Sequence, residues 1–458
     1  MKQQLFLLLL FISIYNSYAQ NGVSAPNGGE YVFNPEHLNC ISESQRKDIL
    51  NMLSAKIDSI KNKRRIAHMP HVTTPLFIWP MRQAEGFEYN DIWGISNYVD
   101  HNDDYPNEIT DYNCGTRSYD TADGYNHAGV DIYLWPFSWA QMDAGQADVV
   151  AAAPGQIIYK SGGNADRSCS FNSNDWNAIY ILHTDGSIAW YGHMKTNSLT
   201  SKEVGATVEQ GEFLGKVGSS GNSTGPHLHF EVYDENLDLV DPYAGPCNNY
   251  NTESWWQEQK PYSNPNINAV LTHSGVPDFN TCPDAETTYV SNQFDTGARV
   301  YAAVYLRDQQ AGTSVRLRIK RPNNTVYFNN VINLENDYSS SWWYWSFIPN
   351  VAGTWTCEAI YFDQTVTHQF TVGTMGLNSD SLTGVTLYPN PVQSIISIQG
   401  SNTIVKIDVH DTMGKLVLTS QNENGITQFD TSLLAGGIYF ATIHNRNNNL
   451  KTIKFIRS

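Results

Sequence analysis

The chain has 458 residues, room for about three domains, and a formal net charge of −17. That excess of acid argues against nucleic acid, whose phosphates reward clustered Lys and Arg, and against anionic membrane surfaces. Aromatics make up 12% of the chain and charged residues only 16%, a balance that suits β-rich extracellular domains better than helical bundles.

Residues 1–19 read as a secretory signal peptide. Met1-Lys2 is followed by an apolar run from Leu5 to Ile14 and a small-residue cleavage pattern at Ser17-Tyr18-Ala19. That run is short for a bilayer span, and no later segment is long and apolar enough, so the expectation is a secreted chain with no membrane span. Six cysteines follow: Cys40, Cys114, Cys169, Cys247, Cys282 and Cys357. An even count in an exported chain implies disulfides, and the absence of C-x-x-C spacing argues against a cysteine metal site. Cys282 is expected to pair with Cys357, because both fall in one proposed domain, and Cys114 with Cys169.

Residues 20–75 form an N-terminal helical region. Ser42 and Gln45 make a capping box, and Ile49, Leu53, Ile57 and Ile60 make an apolar stripe at helical spacing, predicting a helix over 42–65. It ends in Lys61, Lys63, Arg64 and Arg65. This reads as a packing helix with a solvated, dipole-favoured last turn; the sharper alternative is a propeptide with a basic processing site.

Across 76–250 the pattern changes to short strands and glycine-rich turns. Strands are expected at 148–153, 156–159, 178–183, 187–193, 212–217 and 227–233, joined as antiparallel hairpins. Residues 275–372 carry further strand patterns, and Gly353-Thr-Trp-Thr-Cys357 resembles a late strand of an immunoglobulin-like sandwich. Residues 373–386 read as a Gly/Ser/Asn linker and 387–458 as a last small β domain. The run Trp342-Trp343-Tyr344-Trp345 has the composition of a sugar platform, but such runs are more often the two faces of one strand, and Trp255-Trp256 is read the same way.

The chemistry concentrates between residues 120 and 245. His127 and Asp131 are four apart, yet Gly129, Val130, Ile132 and Tyr133 are not helical neighbours. On a straight strand their Cα atoms would sit about 13 Å apart, too far for one metal ion. The pair therefore needs a bend after His127, and Gly129 is where a bend is cheap. In Pro226-His-Leu-His-Phe-Glu-Val232, His227 and His229 share one strand face while Leu228 and Phe230 enter a core. His193 ends another strand, after Tyr191-Gly192. A lone strand histidine is more often a satisfied polar group than a ligand. Four histidines and an aspartate in one β segment have the composition of a catalytic zinc site with three protein ligands and an open position. Gly221-Asn-Ser223-Thr-Gly225 fits G-x-S-x-G, but a nucleophile elbow needs a helix after the serine, and here Pro226 and a strand follow.

Together, His127-x-x-x-Asp131, His193 and His227-x-His229 resemble the lysostaphin and LytM-type zinc metallopeptidases. Ala151-Ala-Ala-Pro-Gly-Gln-Ile157, Gly211-Glu-Phe-Leu-Gly-Lys-Val-Gly218 and Ser220-Gly-Asn-Ser-Thr-Gly-Pro-His227 add to the likeness. The resemblance implies a mostly β fold with an antiparallel peptidase core. It implies one Zn2+ per peptidase domain on His127, Asp131 and His229, with His193 and His227 in the reaction itself. The implied substrate is a peptidoglycan peptide cross-link or a glycine-rich protein. At the other end, Leu387-Tyr-Pro-Asn-Pro391, Gly414-Lys415, Leu434-Ala-Gly-Gly-Ile-Tyr439 and Lys454-Phe-Ile-Arg457 resemble the type A sorting domain of the type IX secretion system. That resemblance implies the secretion machinery as a partner and an extracellular or outer-surface destination. Two other readings stand beside this one: a non-enzymatic wall-binding or adhesion protein acting through 275–372, and a serine hydrolase using Ser223.

Overall fold

A computed structural model describes residues 23–33, 41–64, 74, 76–170, 172–280, 282–373, 382, 384–400, 404–412, 414–422, 424–446 and 450–458. The signal segment, Cys40, Arg65 and positions 374–381 of the expected linker lie outside these residues. The fold is mostly β, with two helices among the described residues. The chain divides into two compact units, residues 1–292 with 297–371 and residues 293–296 with 372–458.

The first unit is organised by an antiparallel sheet. Its strands run in the order Trp93–Asn97, Val130–Leu134, His227–Tyr233, Ile188–Gly192, Ala178–Leu182, Gly155–Ser161 and Thr207–Val208. The expected strands are present, most of them shifted by a residue or two at their ends. Leu228, Phe230 and Val232 alternate into a core with Val130, Ile132, Ile179, Ile181 and Tyr191. A small sheet of Met81–Gln83, Ala147–Val150 and Phe213–Lys216 closes that core through Met81, Val149 and Leu214.

The opposite face is covered over part of its area by the helix Glu43–Arg64. The Ser42 capping box forms: Gln45 N donates to Ser42 Oγ at 3.2 Å and Ser42 N donates to Gln45 Oε1 at 3.0 Å. Leu53 and Ile57 are buried against Ile158, Trp176, Ala178, Tyr180, Trp190 and Tyr233, with Ile49 and Ile60 partly covered. The predicted apolar stripe is thus the face that docks.

A β-sandwich packs onto this sheet. One sheet contains Asn266–His273, Val300–Gln309 and Tyr338–Phe347, extended by Asn27–Glu30 from the N-terminal region, with Gly28 opposite Trp343. The other contains Gln364–Val372, Gly353–Tyr361, Ser314–Lys320 and Val326–Asn333. The sandwich shields the edge strand Trp93–Asn97, which would otherwise offer unpaired backbone groups. Asn268 Nδ2 donates to the carbonyls of Trp93 and Trp135 at 2.9 and 3.1 Å, and Trp135 Nε1 donates to Leu306 O at 3.0 Å. The Arg307 guanidinium lies 3.5 Å from the Trp93 ring centre. The aromatic run is structural: Trp345 is buried in the sandwich, Trp343 Nε1 donates to Gln309 Oε1 at 2.9 Å, and Trp342 packs on Phe279 at 5.2 Å. Trp256 is buried in the core of the first sheet, with Trp255 packed at its margin.

The cysteine pairing differs from expectation. Cys114 bonds Cys247, and Cys169 bonds Cys282. Cys282 lies in an excursion between strands 266–273 and 300–309 that packs against the core of the first sheet beside Cys169. Cys357 points into the sandwich interior as a buried thiol, and burial pushes its pKa well up. Membership of one sequence segment was a poor guide, because Cα proximity decides pairing.

The second unit contains two antiparallel sheets, one of Thr386–Tyr388, Ile395–Gln399 and Gln428–Asp430, the other of Leu416–Gln421, Ile404–His410, Gly437–Asn445 and Leu450–Arg457. Its core gathers Leu387, Ile396, Ile407, Val409, Phe429, Ala441, Ile443 and Phe455.

Candidate metal centre

The register of three strands assembles the site. His229 lies opposite Asp131 on one neighbour and Gly192 on the other, and His227 lies opposite Tyr133. His193 follows directly after Gly192, with a left-handed φ of 57° that turns the chain out of the strand. His127 precedes Val130–Leu134 across the turn through Gly129. All five residues singled out in the sequence come together, and all are buried.

His127, Asp131 and His229 each offer a ligand atom, and these atoms lie within 4.8 Å of one another. His127 Nε2 is 3.1 Å from Asp131 Oδ2, and His229 Nδ1 is 2.8 Å from Asp131 Oδ1. A buried set of two imidazoles and a carboxylate converging at this range fits a zinc-sized cation. Asn97 Nδ2 donates to Asp131 Oδ2 at 3.0 Å. Burial would raise the Asp131 pKa, but His127 and His227 outweigh it, and the carboxyl is held well below its usual range.

Backbone carbonyls orient three of the rings. A carbonyl only accepts, so the nitrogen facing it carries the proton. Nδ1 of His127 donates to Tyr98 O at 2.8 Å, Nδ1 of His193 to Ser220 O at 2.7 Å, and Nδ1 of His227 to Gly225 O at 2.8 Å. Each ring therefore presents Nε2 as its basic nitrogen. His227 Nε2 is 3.6 Å from Asp131 Oδ1, and the His193 and His227 ring centres are 4.4 Å apart. His229 has the opposite polarity: Nε2 meets Glu231 Oε2 at 2.7 Å, and Nδ1 faces Asp131.

Gly129 is required, though not for the anticipated reason. Its φ is not in the left-handed region; instead a Cβ there would come within 2.5 Å of His229 Cε1 and 2.9 Å of Phe230 O. Trp176 walls the site, with its ring centre 5.0 Å from that of His193 and 5.6 Å from that of His229.

Ser223 is not set up as a nucleophile. No helix follows it, and it meets His227 at 3.5 Å on Nδ1, the nitrogen already donating to Gly225 O. That nitrogen has no lone pair with which to accept a serine proton.

Glu231, Arg46, Tyr125 and Asn97 were missed in the sequence. Glu231 had a signal, since the period-2 face holding His227 and His229 continues to Glu231 and Tyr233. Arg46 had one too, as a lone cation in line with the apolar stripe of its helix.

Residues 125–242 match the family model "Peptidase family M23", and residues 386–457 match "Secretion system C-terminal sorting domain". Peptidoglycan DD-endopeptidase ShyC of Vibrio cholerae is 32% identical over 91 residues, 20% of this chain and 20% of that protein. DD-carboxypeptidase/endopeptidase Mpg of Neisseria meningitidis is 44% identical over 56 residues, 12% of each. The aligned segments thus span a fifth or less of these relatives. The catalytic domain of lysostaphin from Staphylococcus simulans is 27% identical, covering 27% of this chain and 83% of that one with a TM-score of 0.20. The chain therefore carries an M23 peptidase domain and a C-terminal sorting domain, and is directed to the cell exterior or outer surface. No helix among the described residues is long and apolar enough to cross a membrane.

Proposed function

We propose that this chain, with its M23 peptidase domain, is a secreted zinc metalloendopeptidase acting on peptide bonds of peptidoglycan cross-links or glycine-rich proteins. The observation that carries this is the convergence of His127, Asp131 and His229 within 4.8 Å, flanked by His193 and His227. In this reading those three residues hold one zinc ion. When bound, zinc supplies Lewis-acid polarisation of the scissile carbonyl and acidifies water. His193 and His227 stand beside the ligand cluster with Nε2 as the basic nitrogen. One takes the proton of the attacking water; the other, when it carries a second proton, donates a hydrogen bond to the developing oxyanion. The carbonyls of Ser220 and Gly225 keep both rings in the orientation this needs.

The named activity of the Vibrio protein, a peptidoglycan DD-endopeptidase, favours a peptidoglycan substrate. The adhesion alternative acting through 275–372 gains nothing from the aromatic run at 342–345, which is engaged in packing. The test is digestion of purified peptidoglycan and of a glycine-rich protein, with and without a chelator, followed by mass analysis of the new termini. New termini in neither substrate, or full activity under chelation, would overturn the reading.

A further inference from the structure

The face of His227–Tyr233 that carries the two histidines does not end at the metal centre. Glu231 and Tyr233 continue it toward the N-terminal helix. The Glu231 carboxylate divides its oxygens: Oε2 meets His229 Nε2 at 2.7 Å, while Oε1 is held by Arg46 Nη1 and the Tyr233 hydroxyl. Arg46 lies in the first turn of the helix Glu43–Arg64 and is itself buried. It also donates to Tyr233 OH at 3.1 Å and to Tyr125 OH at 3.3 Å. Tyr125 is two residues before His127, and Tyr119 stacks on both Tyr125 and His127, at 5.8 and 4.6 Å.

A helix that only needed to dock would gain nothing from this arginine. The other buried residues of its docking face, Leu53 and Ile57, are apolar, and a cation in a first turn opposes the helix dipole. A buried carboxylate, by contrast, needs a counter-charge, and Arg can share its fork among three acceptors. Resting on the metallopeptidase reading above, we propose that Arg46 is a positioning residue of the metal centre: it anchors the Glu231 carboxylate, which holds His229 with Nδ1 turned toward His127 and Asp131. The same guanidinium braces Tyr125 and so the segment leading to His127. Two ligand-bearing segments are thus set by one side chain from an element outside the peptidase sheet. Outer partners of this kind are worth about 10–100-fold in metal affinity.

The experiment measures zinc affinity of the full-length protein by competition with a fluorescent chelator, beside the thermal stability of the metal-free form. Glu231→Gln is expected to weaken zinc binding by about 10–100-fold and Arg46→Met by about 10-fold, with Arg46→Lys between Arg46→Met and the unsubstituted protein. Leu53→Ala, which loosens the same helix away from Glu231, should lower metal-free stability and leave zinc affinity unchanged. Zinc affinity of Arg46→Met within about twofold of the unsubstituted protein, or an equal loss in Leu53→Ala, would overturn the proposal. If Arg46→Met does not fold, Arg46→Lys and Tyr125→Phe against Leu53→Ala decide it by the same criterion. Absence of zinc binding by the unsubstituted protein would instead sink the metallopeptidase reading itself, a result distinguishable from failure of the Arg46 variants alone.

Discussion

Gly129 lies against the imidazole of His229: a Cβ on Gly129 would stand 2.6 Å from His229 Nε2 and 2.5 Å from Cε1. The turn between His127 and Asp131 thus passes so close to the third member of the cluster that only hydrogen fits. Gly129→Ala must push the ring or the Phe230 carbonyl aside. Misplacement by about 1 Å can cost some 10²-fold in rate, and that is the expected loss, with weakened metal retention. Measured kcat/KM and zinc content near unsubstituted values would show that the site yields more easily than this packing implies.

His227 and His229 share a strand face, so proximity alone does not separate ligand from base. In the proposed reading their ring polarities distinguish them. His229 directs Nδ1 to Asp131 at 2.8 Å, whereas His227 Nε2 stands off at 3.6 Å. Alanine at His127, Asp131 or His229 should strip the metal and abolish activity. His227→Ala and His193→Ala should stay folded and zinc-loaded while losing about 10²–10⁴ in kcat. Metal analysis and kinetics on the same preparations check this; loss of zinc from His227→Ala with retention in His229→Ala would reverse the two roles.

Local periodicity made part of this site legible in the sequence, and the resemblance to the lysostaphin and LytM-type peptidases added His127, Asp131 and His193. Alternation put His227 and His229 on one face, and Ser42 with Gln45 marked the helix start. The reason for Gly129 was not legible, because the ring it accommodates is 100 residues away and meets it only through strand register. Cysteine pairing failed for the same cause: Cys282 belongs by sequence to the sandwich segment and by packing to the peptidase core. Arg46 and Glu231 were each visible as an anomaly, one cation on an apolar stripe and one acid on a histidine face. Their connection appears only once the helix is laid on the sheet.

Phe33 stacks on Tyr133 at 4.5 Å, and its ring centre is 6.1 Å from that of His227. A Cβ on Gly225 would collide with it at 2.8 Å. His227 is only 5% exposed, and in the proposed reading Phe33 is one of the side chains that a polypeptide reaching this ring would displace. Phe33→Ala should therefore lower KM for a long peptide, with zinc content unchanged. An unaltered or higher KM would mean that substrate enters from elsewhere.

The sorting-domain match falls in the second unit. Its three- and four-stranded sheets enclose their own core, so removing 387–458 takes away most of that core, leaving Leu382 and Val385 behind, and spares the first unit. The truncated protein should accumulate in the periplasm with its peptidase intact. Fractionation and immunoblotting check this, and normal extracellular yield would show that the signal lies outside 387–458.

Acid should weaken the sandwich through His273. Its Nδ1 donates to Thr288 O at 2.7 Å, and Tyr305 OH donates to its Nε2 at 3.0 Å, an arrangement that requires the neutral ring. Burial lowers its pKa from 6.5 to about 4, and burial does the same to His368 nearby. Between these values the unfolded chain binds a proton that the folded one refuses, so stability rises with pH across the window. The contribution is complete above about pH 6.5 and is lost as pH falls toward 4. For His273 the drop from 6.5 to about 4 corresponds to roughly 3 kcal/mol. Other groups also titrate in this range, so the informative quantity is a difference. Urea unfolding of the unsubstituted protein and of His273→Gln, followed at several pH values from 7 to 4.5, should show a shallower acid dependence in the variant. Identical slopes would mean that His273 takes up its proton in the folded state without cost, which its two hydrogen bonds argue against.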